Sequence, residues 1–312
     1  MPTDKPTPTA PATVFSPIDS ADFTPQRVRD LAAADVERAL EEDVATGDLT
    51  AALIDPQRRT VARILARESA VVCGAPWVEA AVHALDPDAR VLWYVTEGQR
   101  CAADQVVVEI HGRAQSLLTA ERTALNFLQM MSAVATRTAQ YVAAVEAAVG
   151  PALVVAGKAP RIVDTRKTLP GLRLAQKYAV LQGGGQNHRL GLYDAVLIKE
   201  NHIAAAGGVK AVLQRVRDTA PKARFVQIEV ETLAQLEEAL QAGAQMVLLD
   251  NMDLDTLAAA VRLNAGRAIL EISGGVNLDT VGPLARTGVD RISIGALTKD
   301  VKAIDYSMRF AD

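Results

Sequence analysis

Eight side chains that can carry positive charge fall within one stretch of 41 residues, IVDTRKTLPGLRLAQKYAVLQGGGQNHRLGLYDAVLIKENH over 162–202, and five of them, Arg166, Lys167, His188, Arg189 and Lys199, could meet one ligand. IVDT and DAVLI read as short apolar strands, and LRLAQKYAVL between them has helical spacing. Arg166 and Lys167 therefore follow one strand end and Lys199 closes the next, where a βα architecture places its ligand sites. Arg166 and Arg189 suit bidentate binding of carboxylate or phosphate. Two arginines and two lysines are more charge than one phosphate requires, so the guest is a small molecule with several negative charges. The triple glycine Gly183–Gly185 is expected to fold the chain tightly enough that His188 and Arg189 both face that guest. A lysine ending a barrel strand can also serve as a Schiff-base nucleophile if desolvated, and Lys199 carries that rival reading. The neighbouring arginines favour an ammonium that stays charged.

Further polar residues recur at later strand ends. RIVDT, DAVLIKE, FVQIEVE, MVLLDN, AILEISGG and RISIGA each end in a polar or glycine-rich step, and Glu229, Asp250, Ser273 and Gly295 follow one another at 21 to 23 residues. SGG (Ser273, Gly274, Gly275) and IGA (Ile294, Gly295, Ala296) close the last two units, where barrel loops bind phosphate through backbone N–H groups. Apolar strands alternating with amphipathic helices imply a parallel sheet covered by helices. Six or seven such units favour a barrel or incomplete barrel, with an open doubly wound sheet second. Upstream, VARILARESAVVCG, VLWYV and VVVEI surround one helix, WVEAAVHALD, as in an α+β domain. Helical LLTAERTALNFLQMMSAVATRTAQYVAAVEAA follows, and its Arg122 taken singly reads as a solvated face beside Glu121. Thr24 is expected to cap a helix starting at Pro25. The expected organisation is a Pro/Thr-rich disordered lead-in over 1–22, an N-terminal α+β domain over 23–135 and an α/β barrel over 136–300. Segment 301–312 would pack back on the N-terminal domain.

The chain has 312 residues, about half of them hydrophobic, and a formal net charge of −4. The cations are thus a local patch on an acidic protein, which argues against a nucleic-acid partner. Cys73 and Cys101 make no metal or disulfide spacing, which suits a reducing cytoplasm. No apolar run approaches the roughly 18 residues of a membrane span, and the start lacks the layout of a secretory signal.

ERTALNFLQMMS, DTRKTLPGLR, KYAVLQGGGQNHRLGLYDAVLIKENH, QIEVE, LLDN, EISGGV and DRISIGALT together resemble the signatures of the quinolinate phosphoribosyltransferases, decarboxylating enzymes of NAD biosynthesis. The resemblance runs from about EDVATGDLT to the C-terminus. Two departures are mild: Gln176 where an acidic residue is usual, and Glu200 where Asp is common. The resemblance implies an N-terminal α+β open sandwich and a seven-stranded incomplete (β/α) barrel. It implies a homodimer, or a larger assembly such as a hexamer, in which Arg122 reaches the partner's site. It places Arg122, Arg166, Arg189 and Lys199 around the two carboxylates of quinolinate, with His188 close by and Thr165 contributing. Lys167 would face the pyrophosphate of phosphoribosyl pyrophosphate. Glu229 and Asp250 would hold the ribose hydroxyls, directly or through Mg²⁺. Ser273, Gly274, Gly275, Ile294, Gly295 and Ala296 would take the 5-phosphate. No organic cofactor is implied. A non-catalytic anion sensor on the same fold is the reading from another class, and the presence of Lys167, Glu229 and Asp250 argues against it.

Overall fold

The computed structural model describes Ser16, Ile18 and residues 20–311. Helix α1 (Pro25–Asp43) starts where Thr24 predicts: its hydroxyl accepts the Arg27 N–H at 3.3 Å, and Pro25 occupies the first turn, where its missing N–H costs nothing. The next elements are β1 (Arg59–Ala66), β2 (Ala70–Val71), α2 (Ala75–Leu85), β3 (Arg90–Trp93), β4 (Arg100–Cys101) and β5 (Val106–Arg113). Then α3 (Ala114–Val149) runs unbroken for 36 residues, across the expected 135/136 boundary. It contains neither Gly nor Pro and is rich in alanine, so nothing in it breaks the helix.

After α4 (Pro151–Val155) the order becomes β6 (Arg161–Val163), α5 (Arg173–Gln182), β7 (Val196–Ile198), α6 (Glu200–Ala206), α7 (Val209–Thr219), β8 (Val226–Val230), α8 (Leu233–Gln241) and β9 (Met246–Asp250). It continues through α9 (Leu254–Asn264), β10 (Ile269–Ser273), α10 (Leu278–Ala285), β11 (Arg291–Ser293), α11 (Ala296–Lys299) and β12 (Tyr306–Phe310). The parallel sheet has the order β6-β11-β10-β9-β8-β7. The first strand of the series thus lies beside the last, the order of a barrel left open between β6 and β7. Six strands form it, and an isolated parallel bridge from Gln186 to Val163 occupies the seventh place, inside the opening. The N-terminal sheet has the order β12-β1-β5-β3 and is antiparallel, so the end of the chain returns to the N-terminal domain as an edge strand on β1.

The expected lead-in over 1–22 lies mostly outside the described residues, and its last part is not loose. Ile18 is fully buried and bridges Asn187, while Asp22 pairs with Arg224 at 2.5 Å. The Ile18 side chain in the barrel opening and the Asp22–Arg224 ion pair help hold this segment down, with the Ser16 N–H donating to the Arg224 carbonyl at 3.0 Å. The core is continuous from the N-terminal helices into the barrel. Trp77 on α2 packs against Tyr178 on α5, ring centroids 5.7 Å apart, and its indole N–H donates to Asp35 on α1. Buried aliphatic residues such as Leu128 and Ile228 each contribute about 1.5–3 kcal/mol over exposure.

Candidate active site

The carboxyl ends of the parallel strands bring the charged residues together. Lys199, one residue past β7, sets its Nζ 2.9 and 3.1 Å from the two carboxylate oxygens of Glu229 on neighbouring β8. Its side chain is 47 % exposed. An amine that is exposed and gripped by a carboxylate is not the desolvated neutral nucleophile a Schiff base needs, so the rival reading of Lys199 falls. Asp250 ends β9 in register with Ser273 at the end of β10, and the two are stitched by the Asn251 N–H donating to the Ser273 carbonyl at 3.2 Å.

On the other side of the opening, β6 leads into Thr165, Arg166 and Lys167. The Thr165 hydroxyl accepts the Lys167 N–H at 3.1 Å, and the Lys167 carbonyl accepts the Thr298 hydroxyl at 2.7 Å. The Lys167 side chain lies across Gly295: a Cβ there would stand 3.1 Å from Lys167 Cδ and 3.6 Å from Thr165 Oγ1. Gln176, the departure noted in the sequence, is buried and uses both ends of its amide here. Its Oε1 accepts from Leu169 N–H and its Nε2 donates to the Thr298 carbonyl, both at 2.8 Å. An ionised carboxylate could supply only the first of these.

Arg166 and Arg189 are close enough to feel one another. The Arg189 guanidinium is pushed below its ordinary pKa, first by burial and then by the charge of Arg166, with Asp194 pulling the other way. Arg166 keeps its Nε buried without a hydrogen-bond partner. Two like charges held together against repulsion, one with an orphaned donor, describe an anion site.

Beneath this rim lies a polar interior that the strand-end residues alone do not reveal. Lys177 and Asp164, both fully buried, meet at 2.5 Å. Asp164 also accepts from Asn187 Nδ2 at 2.7 Å and from the His188 N–H at 2.8 Å. Burial pushes the Asp164 carboxyl up and the Lys177 ammonium down, against their mutual attraction. Arg291 pairs with Glu271 at 2.9 Å. Arg173 ties the loops of the rim together, donating to Thr168 Oγ1 at 3.1 Å and to the Leu190 carbonyl at 3.4 Å.

The structure bears on three expectations. His188 is buried, with Nε2 2.7 Å from Gln227 Oε1 and Nδ1 accepting the Arg189 N–H at 2.8 Å, so both ring nitrogens already have partners. The glycines serve packing instead. A Cβ on Gly183 would lie 2.4 Å from the Ala135 carbonyl oxygen, and one on Gly185 2.8 Å from Thr138 Cγ2, so they let the end of α5 press on α3. Ile294 offers no free donor, since its N–H is bonded to the Val163 carbonyl at 2.9 Å and its side chain is buried. Arg122 is exposed on α3, outside the parallel-sheet part of the chain.

Gly274 has φ +103° and would set a Cβ 2.2 Å from Asn251 Oδ1. Gly274→Ala combines that clash with a strained backbone worth about 1–3 kcal/mol. It is expected to raise the Kd of a phosphate-bearing ligand roughly tenfold while leaving the Kd of an anion held by Arg166 and Arg189 nearly unchanged, as binding titrations would show. Equal rises in both would remove Gly274 from the phosphate loop.

The chain matches the family description "Quinolinate phosphoribosyl transferase, C-terminal domain" over residues 134–309 and the corresponding N-terminal domain over 48–132. It is 40% identical over 289 residues to the nicotinate-nucleotide pyrophosphorylase (carboxylating) of Mycobacterium leprae, covering 89% of this chain and 97% of that one. It is 38% identical over 294 residues to the quinolinate phosphoribosyltransferase (decarboxylating) 2a, mitochondrial, of Nicotiana tabacum, covering 88% of this chain and 80% of that one. Among solved structures, the nicotinate-nucleotide pyrophosphorylase from Francisella tularensis superposes with a TM-score of 0.84 at 40% identity, over 91% of this chain and 97% of that one. With both domains matched and strand-end chemistry to suit, the chain belongs to the quinolinate phosphoribosyltransferase family.

Proposed function

We propose that this chain transfers the phosphoribosyl group of phosphoribosyl pyrophosphate to quinolinate, giving nicotinate mononucleotide, pyrophosphate and CO₂. The observation that carries the reading is the Arg166–Arg189 pair, two cations near enough that the charge of Arg166 adds to burial in lowering the Arg189 pKa, with the buried Nε of Arg166 lacking a hydrogen-bond partner. A dicarboxylate supplies the negative charge this cluster lacks. Clamped there, quinolinate presents its ring nitrogen to C1 of the ribose. The nitrogen lone pair forms the new C–N bond as the C1–O bond breaks and its electrons leave with pyrophosphate. Glu229 and Asp250 offset the positive charge that develops on the ribose, and Lys167 stabilises the leaving diphosphate. The ring nitrogen, now quaternary, accepts the electron pair released when the 2-carboxylate departs as CO₂, and C2 then takes a proton.

Glu229 and Asp250 also fit Mg²⁺, being hard oxygen donors on adjacent strands. No group of three or more ligating side chains stands among the described residues, so the ion would be held jointly with substrate oxygens and water. When bound it neutralises diphosphate charge. We also assign Arg122 to the site of a second copy. Asp48 accepts the Thr119 hydroxyl at 3.0 Å, which sets Leu49 and Leu53, 89 % and 83 % exposed, against the same end of α3 that carries Arg122. Leu192 and Tyr193, just past Arg189, are exposed as well. Such apolar surfaces suit burial in a homodimer. Both cysteines are free, which agrees with a cytoplasmic enzyme, and no helix among the described residues is long and apolar enough to cross a membrane.

The test is a turnover assay with phosphoribosyl pyrophosphate, Mg²⁺ and either quinolinate or nicotinate, following nicotinate mononucleotide and CO₂. Quinolinate alone should be used. Turnover of nicotinate instead would keep the transferase and discard the two-carboxylate clamp.

A further inference from the structure

His188 is clamped at every polar atom. Its N–H donates to Asp164 at 2.8 Å, its carbonyl accepts from Lys177 Nζ at 3.1 Å, Nδ1 accepts the Arg189 N–H at 2.8 Å and Nε2 meets Gln227 Oε1 at 2.7 Å. Because Nδ1 is an acceptor, the ring proton sits on Nε2 and is donated to Gln227. An imidazolium would point a second N–H at the Arg189 N–H and break that contact. Phe225 packs edge-on to the ring at 5.3 Å, and Glu271, itself paired with Arg291, lies 3.8 Å from Nε2.

Gln227 is fully buried on β8, and its Nε2 finds no acceptor. A buried donor left unpaired is costly, and an apolar side chain would fill the same space without that penalty. Gln227 is therefore not there to satisfy its own surroundings. Its useful atom is Oε1, which selects one tautomer of one ring. That tautomer exposes the lone pair that catches the Arg189 main chain.

We propose that Gln227 is a positioning residue for the anion clamp, acting through His188 to fix the main chain from which Arg189 reaches the substrate. The chain of contacts is short: Gln227 Oε1 holds Nε2–H, the ring holds the Arg189 N–H, and the guanidinium is delivered beside Arg166. Gln227 touches no reacting atom. It acts on the carboxylate substrate rather than the phosphoribosyl donor: its amide oxygen meets His188, while Glu229, two residues on along the same strand, is held by Lys199. This role rests on the reading of Arg189 as a quinolinate ligand.

Two measurements test it. The first uses the free wild-type enzyme with ¹⁵N-labelled histidine, His188 being assigned by comparison with His188→Asn. The expected spectrum is a neutral Nε2–H imidazole at pH 7; an Nδ1–H tautomer or an imidazolium would overturn the proposal, without recourse to any other variant or to substrate. The second compares wild type with Gln227→Met, which keeps length and volume and removes the acceptor. KM for quinolinate should rise about tenfold, the effect of about 1.4 kcal/mol, with KM for phosphoribosyl pyrophosphate unchanged and the Nε2–H signature lost. Parallel rises in both KM values, or no rise in either, would overturn it. Failure of the wild type to turn over quinolinate would instead strike the functional reading, and the wild-type spectrum would still decide the tautomer.

Discussion

Arg166→Ala is expected to lower kcat/KM for quinolinate by roughly 30- to 5,000-fold, the equivalent of the 2–5 kcal/mol that follows loss of one partner of a desolvated charge pair. The reason lies in the free protein. Arg166 is partly buried with an orphaned Nε, and burial together with the Arg166 charge depresses the neighbouring Arg189. Neither arrangement benefits the empty fold, so removing the charge relieves repulsion and should not lower Tm. A large kinetic loss with an undiminished melting temperature is the signature of a group kept for its ligand. Arg166→Lys should recover only part of the loss, because an ammonium cannot make the planar fork a carboxylate accepts. Kinetics at saturating phosphoribosyl pyrophosphate, with thermal unfolding on the same samples, would test this. Unchanged kcat/KM would remove Arg166 from the clamp, and a Tm drop matching the kinetic loss would make its role structural.

The rim of the site was legible because strand periodicity alone puts residues such as Lys199, Glu229 and Asp250 at successive strand ends. Which way a turn residue points is not periodic. His188 and Arg189 are adjacent in one turn, yet one enters the barrel and the other stays at the mouth, and nothing in QNHR distinguishes them. The glycines before them were misread for a similar reason: their constraint comes from α3, some 45 residues upstream in sequence, and close packing between distant elements leaves no local mark. The polar interior did leave one. Gln227 lies two residues before Glu229, Glu271 two before Ser273 and Arg291 two before Ser293. Side chains two apart on a strand share a face, so each is the next residue down from a strand-end position. A polar residue at that spacing inside an apolar strand is a readable sign of a network below the site. The departure at Gln176 was legible as a difference but not as a function, because its two partners, Leu169 and Thr298, meet only in the folded barrel.

The largest loss of stability is expected from Lys177→Met. Lys177 and Asp164 are a fully buried pair, and removing one member of such a pair costs about 3–5 kcal/mol. For a chain of this size that is a Tm drop of roughly 6 to 20 °C. Methionine fills the space of the lysine stem, so packing is largely kept and the cost is the stranded carboxylate. Asp164 would retain its contacts from Asn187 and the His188 N–H, but these do not neutralise its charge. The loss should therefore depend on pH with a definite sign. Burial already holds the Asp164 pKa above its ordinary value, and losing the ammonium raises it further. A carboxyl whose folded pKa exceeds its unfolded one, about 3.9, stabilises the fold while protonated and loses that contribution as pH rises through the folded value. The Tm difference between wild type and Lys177→Met should be small near pH 5 and grow towards pH 8. Adding Asp164→Asn removes the charge and should recover part of the loss at pH 8 and little at pH 5. A difference that is the same at both pH values would mean that Lys177 contributes packing alone, and that the charge beneath the site does not need its partner.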